Sequence, residues 1–242
     1  MTMKKQTKPA PRPAPRPAPK QAPREASEQK RIYIVDDHPI FREGLKGVIA
    51  HQPGLTVCGD ADTAVKAFEE IRALKPDLVL TDIGLPGKSG MELLKDLHAF
   101  DRALPVLVLS MHDETLYAER VLATGARGYI MKQEGPDRIL QAIATVLAGK
   151  VHVSEKMAAG ILEHIVRPES KAEASPVGRL TAREFEVLRL IGEGKDGHDI
   201  AADLHLSLKT VNSHKTHIRE KLGLKNFTAV IHFATRWLAE SG

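Results

Sequence analysis

Short apolar runs and longer amphipathic segments alternate along residues 31–149. In each longer segment, apolar side chains recur at the spacing of a helix, whereas the runs are too short for one. Runs this apolar predict strands buried on both faces, so the pattern predicts five βα units with a parallel sheet, helices on both faces and right-handed crossovers. The five runs are residues 31–35, 55–61, 77–82, 104–110 and 126–131.

The C-terminal third is helical in pattern. Thr181 with Glu184 three residues on predicts a capping box, and Asp196 and Ser207 are placed to cap two further helices. In the helix that Thr181 begins, Phe185, Leu188 and Ile191 or Leu190 form one apolar stripe. The last of these helices turns Val211, Ile218 and Leu222 inward and polar residues outward. A short helix, a tight turn and a helix with a polar outer face predict a helix-turn-helix. In the final helix, Val230 and Trp237 are candidates for an exposed dimer interface, although Trp237 equally fits a core position.

Two segments lack the apolar periodicity of a folded core. Residues 1–30 have Pro at nearly every second position over much of their length, which removes backbone donors and predicts a disordered segment biased to polyproline II. This tail is interpreted either as a basic arm that touches DNA or an acidic partner, or as a solubilising spacer. Residues 154–166 predict a helix, and residues 167–178, with two prolines, predict a flexible linker.

Composition adds limits rather than a function. The single cysteine, Cys58, excludes an internal disulfide framework, and no run approaches the roughly 18 apolar residues of a membrane span, so we expect a cytoplasmic protein without membrane contact. The net charge is +6 over residues 1–30, −4 over residues 31–178 and +2 over residues 179–242. The basic pI therefore comes from the tail, and any inference of DNA binding depends on the helical motif.

Chemistry-bearing side chains stand where successive predicted strands end. Asp36 and Asp37 follow the first run, Asp82 ends the third, Ser110 ends the fourth and Lys132 follows the fifth. The carboxyl ends of parallel strands share one crevice. Three carboxylates there repel one another unless a cation lies among them, and oxygen ligands favour a hard ion such as Mg²⁺. The pattern predicts a metal site beside a nucleophilic or phosphate-accepting Asp.

These five positions resemble the receiver domain of two-component response regulators over about residues 30–150. The segments LTAREFEVLRLIGEGK, DIAADLHLSLKTVNSH and REKLGLKN resemble the DNA-binding domain of LuxR-type regulators, so the whole chain resembles a NarL/FixJ-family response regulator. The resemblance implies a flavodoxin-like (βα)5 fold with strand order 2-1-3-4-5 and a separate all-α domain. The implied divisions are a tail at 1–30, a receiver at 31–150, a linker with one helix at 151–178 and a helix-turn-helix domain at 179–242.

The resemblance also implies roles for the residues at the strand ends. Asp82 would accept a phosphoryl group from a sensor histidine kinase, and Mg²⁺ would be held by the side chains of Asp37 and Asp82 and the backbone of Gly84, with Asp36 acting through water. Ser110, Lys132 and Tyr129 would stabilise the phosphoryl group or change position when Asp82 is phosphorylated. Phosphorylation would promote a homodimer on DNA, with RNA polymerase a candidate partner. The protein would not be an enzyme, apart from autodephosphorylation.

Within the predicted helix-turn-helix, base reading is expected from Asn212, Ser213 and Thr216. Phosphate contacts are expected from Lys195, Lys209, Thr210, His214 and Lys215. The GHD sequence at 197–199 departs from the more common family pattern, and His198 there is expected to weaken one phosphate contact.

Four alternatives remain open at this point: an unrelated flavodoxin-like domain, a C-terminal dimerisation bundle, a phosphorylated interaction module that never binds DNA, and a haloacid-dehalogenase-type phosphohydrolase. That last chemistry needs a second acid two residues after the nucleophile, where this chain has Gly84.

Overall fold

The computed structural model describes residues 29–111, 114–166 and 176–241. The predictions for most of the N-terminal tail and for residues 167–175 of the linker lie outside these ranges. The strands are β1 (Lys30–Val35), β2 (Leu55–Ala61), β3 (Leu78–Asp82), β4 (Val106–Ser110) and β5 (Gly128–Met131). The helices are α1 (Pro39–Ala50), α2 (Ala64–Leu74), α3 (Gly90–Phe100), α4 (Glu114–Ala123), α5 (Pro136–Leu147), α6 (Glu155–Val166), α7 (Ala182–Gly192), α8 (Gly197–Asp203), α9 (Leu208–Lys221) and α10 (Phe227–Ser241), with a 3-10 turn over Pro176–Arg179.

The five strands form one parallel sheet in the order β2-β1-β3-β4-β5, which confirms the predicted order and the flavodoxin-like (βα)5 fold. Every residue of β3 and β4 is buried, as expected for strands covered on both faces. Because all strands run the same way, their carboxyl ends lie at one edge of the sheet.

Side-chain alternation along the strands divides the core between the two faces. Ile32 and Ile34 of β1 face α1 and α5, whereas Tyr33 and Val35 face the opposite layer, which contains α2, α3 and α4. Strand side chains alternate between faces with a period of two, so the uninterrupted apolar runs supply both layers at once.

The loop that follows β3 is held close to the start of α3. Gly90 donates its backbone N–H to the carbonyl of Ile83 at 2.9 Å, and an added Cβ at Gly90 would lie 1.8 Å from the backbone oxygen of Asp82. Only glycine permits this approach. Ser89 completes a capping box with Glu92, so the first turn of α3 is fixed against the strand end.

The C-terminal helices begin at the predicted caps. Thr181 and Glu184 form a capping box, the Asp196 side chain accepts from the backbone of His198 and Asp199, and the Ser207 hydroxyl accepts from the backbone of Thr210. Helices α8 and α9 are joined by the predicted tight turn. The helix-turn-helix is therefore present as predicted from these caps and from the apolar spacing.

Two expectations for this domain were wrong. Helix α7 is buried around its whole circumference from Arg183 to Ile191, whereas the sequence predicted one apolar stripe. The polar side of α7 packs against the sheet domain instead of water. Val230 in α10 is also buried rather than available at a surface, and the large apolar side chains of α10 that are exposed are Phe227 and Ile231. Trp237 packs against Phe185, at 5.4 Å between ring centroids, and so contributes to the core.

None of the helices in the described parts of the chain combines the length and apolar character needed to cross a membrane.

Candidate functional site

The carboxyl edge of the sheet brings together side chains from three strands. Asp36 directly follows β1, Asp82 ends β3, and Lys132 directly follows β5. Lys132 Nζ lies 2.6 Å from Asp36 Oδ2 and 2.7 Å from Asp82 Oδ2. All three side chains are nearly inaccessible to solvent, so the ammonium offsets a concentration of negative charge that burial would otherwise make costly.

The orientation of Asp82 is fixed from both sides of its carboxylate. Oδ1 accepts a hydrogen bond from the backbone N–H of Ile83 at 2.7 Å, and Oδ2 accepts one from Lys132 at 2.7 Å. Asp82 nonetheless sits at the end of its strand, beside the exposed Gly84 of the following loop. The carboxylate is thus oriented by its neighbours at the rim of the crevice.

Asp37 and His38 complete a group of possible metal ligands. One ligand atom from each of Asp36, Asp37, His38 and Asp82 lies within 4.8 Å of all the others. The buried Oδ1 of Asp37 accepts no hydrogen bond from the described residues. Carboxylate oxygens are the donors that Mg²⁺ prefers, so the residues present fit the predicted ion.

Burial raises the pKa of the Asp36 carboxyl above its ordinary value. Lys132 opposes this shift by hydrogen bonding and by its charge, whereas the charge of Asp82 reinforces it. The cluster also contains three carboxylates for the one ammonium of Lys132. An additional cation would relieve the remaining repulsion.

Ser110 is the last residue of β4, and Tyr129 lies within the neighbouring strand β5, where it pairs with Val108. Both side chains are buried, Ser110 completely. The strands hold them in register, because Ser110 pairs with Met131 and Lys132 donates its backbone N–H to the Ser110 carbonyl at 2.8 Å. A shift of the backbone at the end of one strand would therefore displace the end of the other.

A second candidate site lies on the outer face of α9. Side chains from its first three turns line one open surface: Leu208, Lys209, Asn212, Ser213 and Thr216. Asn212 and Ser213 are exposed. The Thr216 hydroxyl donates a hydrogen bond to the Asn212 carbonyl. Thr210 is held near the helix start by the Ser207 hydroxyl, at 2.8 Å. This surface carries hydrogen-bonding groups of the kind that read base edges.

Two of the lysines predicted to contact phosphate have partners within the protein. Lys195 forms an ion pair with Asp203. Lys215 lies over the ring of Phe227, with Nζ 4.9 Å from the ring centroid. His214 is half-buried, and burial lowers its pKa, with the positive charge of Arg183 acting in the same direction. Lys209 is the predicted cation that remains exposed on the open face of α9.

The contact between the two domains involves residues that no sequence pattern indicates. Arg120 of α4 donates hydrogen bonds to the carbonyls of Val177 and Leu180, and its guanidinium lies 4.3 Å from the ring centroid of Phe185. Tyr117 packs edge-on against the same Phe185 ring, at 5.1 Å between centroids. Aromatic and cation-π contacts of this kind add specificity to apolar burial.

Arg183 connects α7 to the loop that follows Asp82. Its guanidinium donates to the Gly87 carbonyl at 2.6 Å and pairs with Glu186 at 2.5 Å. Gly87 has a φ of +71°, a conformation that glycine adopts without strain. This hydrogen bond attaches α7 directly to the loop that follows Asp82, the candidate phosphate acceptor. The only sequence signal was the presence of arginines and glutamates on a helix, which ordinarily indicates a solvated face.

Comparison with known protein families identifies the same two regions. Residues 32–144 match the response regulator receiver domain. Residues 178–234 match the family described as bacterial regulatory proteins, luxR family. Over 210 residues the chain is 34% identical to the oxygen regulatory protein NreC of Staphylococcus aureus, and the alignment covers 85% of this chain and 97% of that protein.

Solved structures show the same relationship. The chain is similar to the RcsB response regulator of Salmonella typhimurium, with a TM-score of 0.59 and 27% identity over 86% of this chain and 98% of that one. It is similar to RcsB bound to the promoter P1flhDC in the presence of the phosphomimetic BeF3-, with a TM-score of 0.56 and 26% identity over 86% of this chain and 99% of that one. A two-component response regulator of the LuxR family from Aurantimonas sp. SI85-9A1 gives a TM-score of 0.53 and 37% identity over 57% of this chain and 99% of that one.

Proposed function

This chain belongs to the NarL/FixJ family of two-component response regulators, and we propose that a sensor histidine kinase phosphorylates it at Asp82 to control its binding to DNA. The observation that carries the proposal is the placement of the Asp82 carboxylate at the sheet edge, 2.7 Å from Lys132 and beside two further acids. In this proposal residues 31–150 receive the phosphoryl group and residues 179–242 bind DNA.

The chemical step is a transfer to a carboxylate. A carboxylate oxygen of Asp82 forms a bond to phosphorus while the bond between phosphorus and the imidazole nitrogen of the donor histidine breaks, and the electron pair of that bond leaves with the imidazole. Lys132 stabilises the added negative charge, as a compact cation within hydrogen-bonding distance. The Ile83 N–H holds the carboxylate in a fixed orientation during the transfer.

Asp37, Asp82 and the Gly84 carbonyl would hold Mg²⁺, with Asp36 contributing through water. When bound, the ion supplies positive charge to the phosphoryl oxygens. Asp36 and Asp37 would also keep the crevice negative before loading, which favours cation entry.

The phosphoryl group adds about 1.5 to 2 negative charges at the end of β3. The Ser110 hydroxyl would move towards its oxygens, and Tyr129 would occupy the space that Ser110 leaves. Both side chains lie in the packed core, where motion of one requires motion of its neighbours. The β3–α3 loop, through Gly87 and Arg183, gives this change a direct route to α7.

DNA binding would use two copies of the chain. A single helix-turn-helix reads few base pairs, and two half-sites require two subunits. The exposed Ile231 on α10 is better placed for a dimer contact than the buried Val230. RNA polymerase remains a candidate partner of the bound dimer.

A selection of bound sequences from random DNA, performed with and without acetyl phosphate and Mg²⁺, tests the proposal. We expect enrichment of a two-fold symmetric site after phosphorylation, and a dimer mass on that site by analytical ultracentrifugation. A phosphorylated protein that enriches no sequence would contradict the proposed DNA function and would support a module that acts through protein contacts alone.

A further inference from the structure

The imidazole of His38 faces the carboxylates of the proposed cation site. Its Nδ1 lies 2.8 Å from Asp37 Oδ1 and 3.3 Å from Asp36 Oδ1. Adjacent ligands of an octahedral ion with bonds of about 2.1 Å lie roughly 3 Å apart, and opposite ligands lie roughly 4.2 Å apart. The imidazole nitrogen is therefore as close to the carboxylate oxygens as one ligand is to the next.

The contact between His38 and Asp37 lacks the alignment of a hydrogen bond. Asp37 Oδ1 is buried and accepts no hydrogen bond from the described residues, although Nδ1 is only 2.8 Å away. An unprotonated imidazole nitrogen and a carboxylate oxygen each present a lone pair. Two such atoms at this separation repel each other unless a proton or a metal ion interacts with both.

The backbone holds His38 in position for this role. His38 is the N-cap of α1, its N–H donates to Asp36 Oδ1 at 2.9 Å, and Pro39 follows at the first helical position. The side chain is 63% exposed, so an ion arriving from solvent meets it at the mouth of the crevice. No rearrangement of α1 is required for contact.

We propose that His38 is a nitrogen ligand of the cation site and shifts its preference from Mg²⁺ towards first-row transition ions such as Co²⁺. This inference rests on the proposed function only in placing a divalent cation beside Asp82. Imidazole suits the later first-row ions, whereas carboxylate, carbonyl and water suit Mg²⁺. A site that adds one imidazole to its carboxylates therefore discriminates between these two classes of ion more than carboxylates alone would.

Co²⁺ binding to the full-length protein, measured by calorimetry and by paramagnetic NMR, tests the proposal. A directly bound imidazole shows a strongly shifted, exchangeable ring N–H signal. We compare the wild type with His38→Ala, and with His51→Ala as the matched control, because His51 is an exposed histidine at the other end of α1. Mg²⁺ affinity is measured by competition against Co²⁺.

The proposal predicts that His38→Ala loses the shifted signal and weakens Co²⁺ binding by at least about tenfold, since loss of even an outer partner of a ligand typically costs that much. Mg²⁺ affinity should change far less, and His51→Ala should match the wild type. A wild type without the shifted signal, or equal losses for Co²⁺ and Mg²⁺ in His38→Ala, overturns the proposal.

Asp37→Asn separates this inference from the function on which it rests. If the cation site exists, Asp37→Asn weakens both ions. Mg²⁺-dependent phosphorylation of Asp82 without imidazole coordination overturns the role of His38 alone. A wild type that binds neither ion overturns both the cation site and the role of His38.

Discussion

Arg189 on α7 donates a hydrogen bond from Nε to the hydroxyl of Tyr117 on α4, at 2.9 Å, and so joins the DNA-binding domain to the receiver. Both side chains are buried in the contact between domains. Buried polar groups that lose their partner destabilise the arrangement by more than the bond itself contributes. The pair therefore makes the docked state sensitive to small changes in α4.

Loss of the contacts made by Arg120 should separate the domains. Arg120→Ala removes two hydrogen bonds, to the carbonyls of Val177 and Leu180, and the stacking on Phe185. We expect a larger radius of gyration in small-angle X-ray scattering of the unphosphorylated protein. Arg127→Ala, an exposed arginine of the same domain, is the control and should leave the radius unchanged. An unchanged radius for Arg120→Ala would show that its contacts do not hold the domains together.

Asp82→Asn should abolish phosphorylation by acetyl phosphate in the presence of Mg²⁺, because the amide is a far weaker nucleophile than the carboxylate. Hydroxylamine-labile phosphoryl incorporation is the measurement. Asp62→Asn is the matched control, since Asp62 follows a strand of the same sheet but is exposed and lies outside the acid cluster. Incorporation that persists in Asp82→Asn would place the acceptor elsewhere.

Lys132→Met should destabilise the receiver by about 3 to 5 kcal/mol in urea unfolding at pH 7, the usual cost of leaving buried charges without their partner. Asp36 and Asp82 would both lose their contact with the ammonium. Adding Asp36→Asn to this variant should restore part of the loss, because one of the two uncompensated carboxylates is then absent. The exposed Lys150→Met serves as control. Equal stability of Lys132→Met and wild type would mean that the ammonium contributes nothing net.

Glu184 should give the DNA-binding domain a pH-dependent stability. Burial alone would raise the pKa of this carboxyl, but Lys221 and Thr181 outweigh burial and lower it below its ordinary 4.5. A carboxyl whose pKa is lower in the folded state than in the unfolded state stabilises the fold at pH values above the unfolded pKa. This stabilisation is lost as the pH falls through the folded pKa. Glu184→Gln should therefore cost roughly 1.5 to 3 kcal/mol near pH 7, the range for hydrogen bonds to charged groups.

The difference between Glu184→Gln and wild type in urea unfolding should shrink as pH falls through about 4.5 towards the lowered folded pKa. Glu240→Gln, with a side chain 70% exposed, should differ little from wild type at any pH. A difference that stays constant from pH 7 to pH 4 would exclude the Glu184 charge as its origin.

Asn212 and Lys209 should contribute to DNA binding in different ways. Asn212→Ala should cost roughly 1 to 3 kcal/mol at one base position, because its exposed amide can bond to adenine in the major groove. Lys209→Ala should weaken all sequences alike and reduce the slope of log affinity against log salt by about one. Binding assays on the selected site, on single-base variants and across a salt series distinguish the two. Loss of base preference in Lys209→Ala with a uniform loss in Asn212→Ala would mean that α9 enters the groove in another orientation.

The sheet was predictable because each strand is indicated by a short apolar run and the residues directly beside it. The run that ends at Asp82 is apolar to its last residue and then changes abruptly to Gly and Pro, so both the strand and its exposed end follow from a few adjacent residues. The same holds for the caps at Thr181, Asp196 and Ser207, whose hydrogen bonds span only two or three residues.

The surroundings of α7 were not predictable in this way. Arg183 and Arg189 find their partners 96 and 72 residues away in the chain, so no local pattern reveals that they are buried. Val230 was misassigned for a related reason, since an apolar residue on an amphipathic helix fits a core and an interface equally well. For His38, the sequence shows its position after two acids, and only the structure shows its distance from their oxygens.

The burial of α7 on every side limits how freely the two halves of this chain can be exchanged with those of relatives. Glu186 Oε1 is buried without a hydrogen bond from the described residues. Arg183 donates a hydrogen bond to the carbonyl of Gly87. A chimera that places this receiver ahead of a foreign helix-turn-helix would retain the crevice around Asp82, yet it would lose the side chains that contact Gly87 and Tyr117. A change at Asp82 would then have no contact through which to reach the grafted half, unless the α7 residues that face the receiver were transplanted together with it.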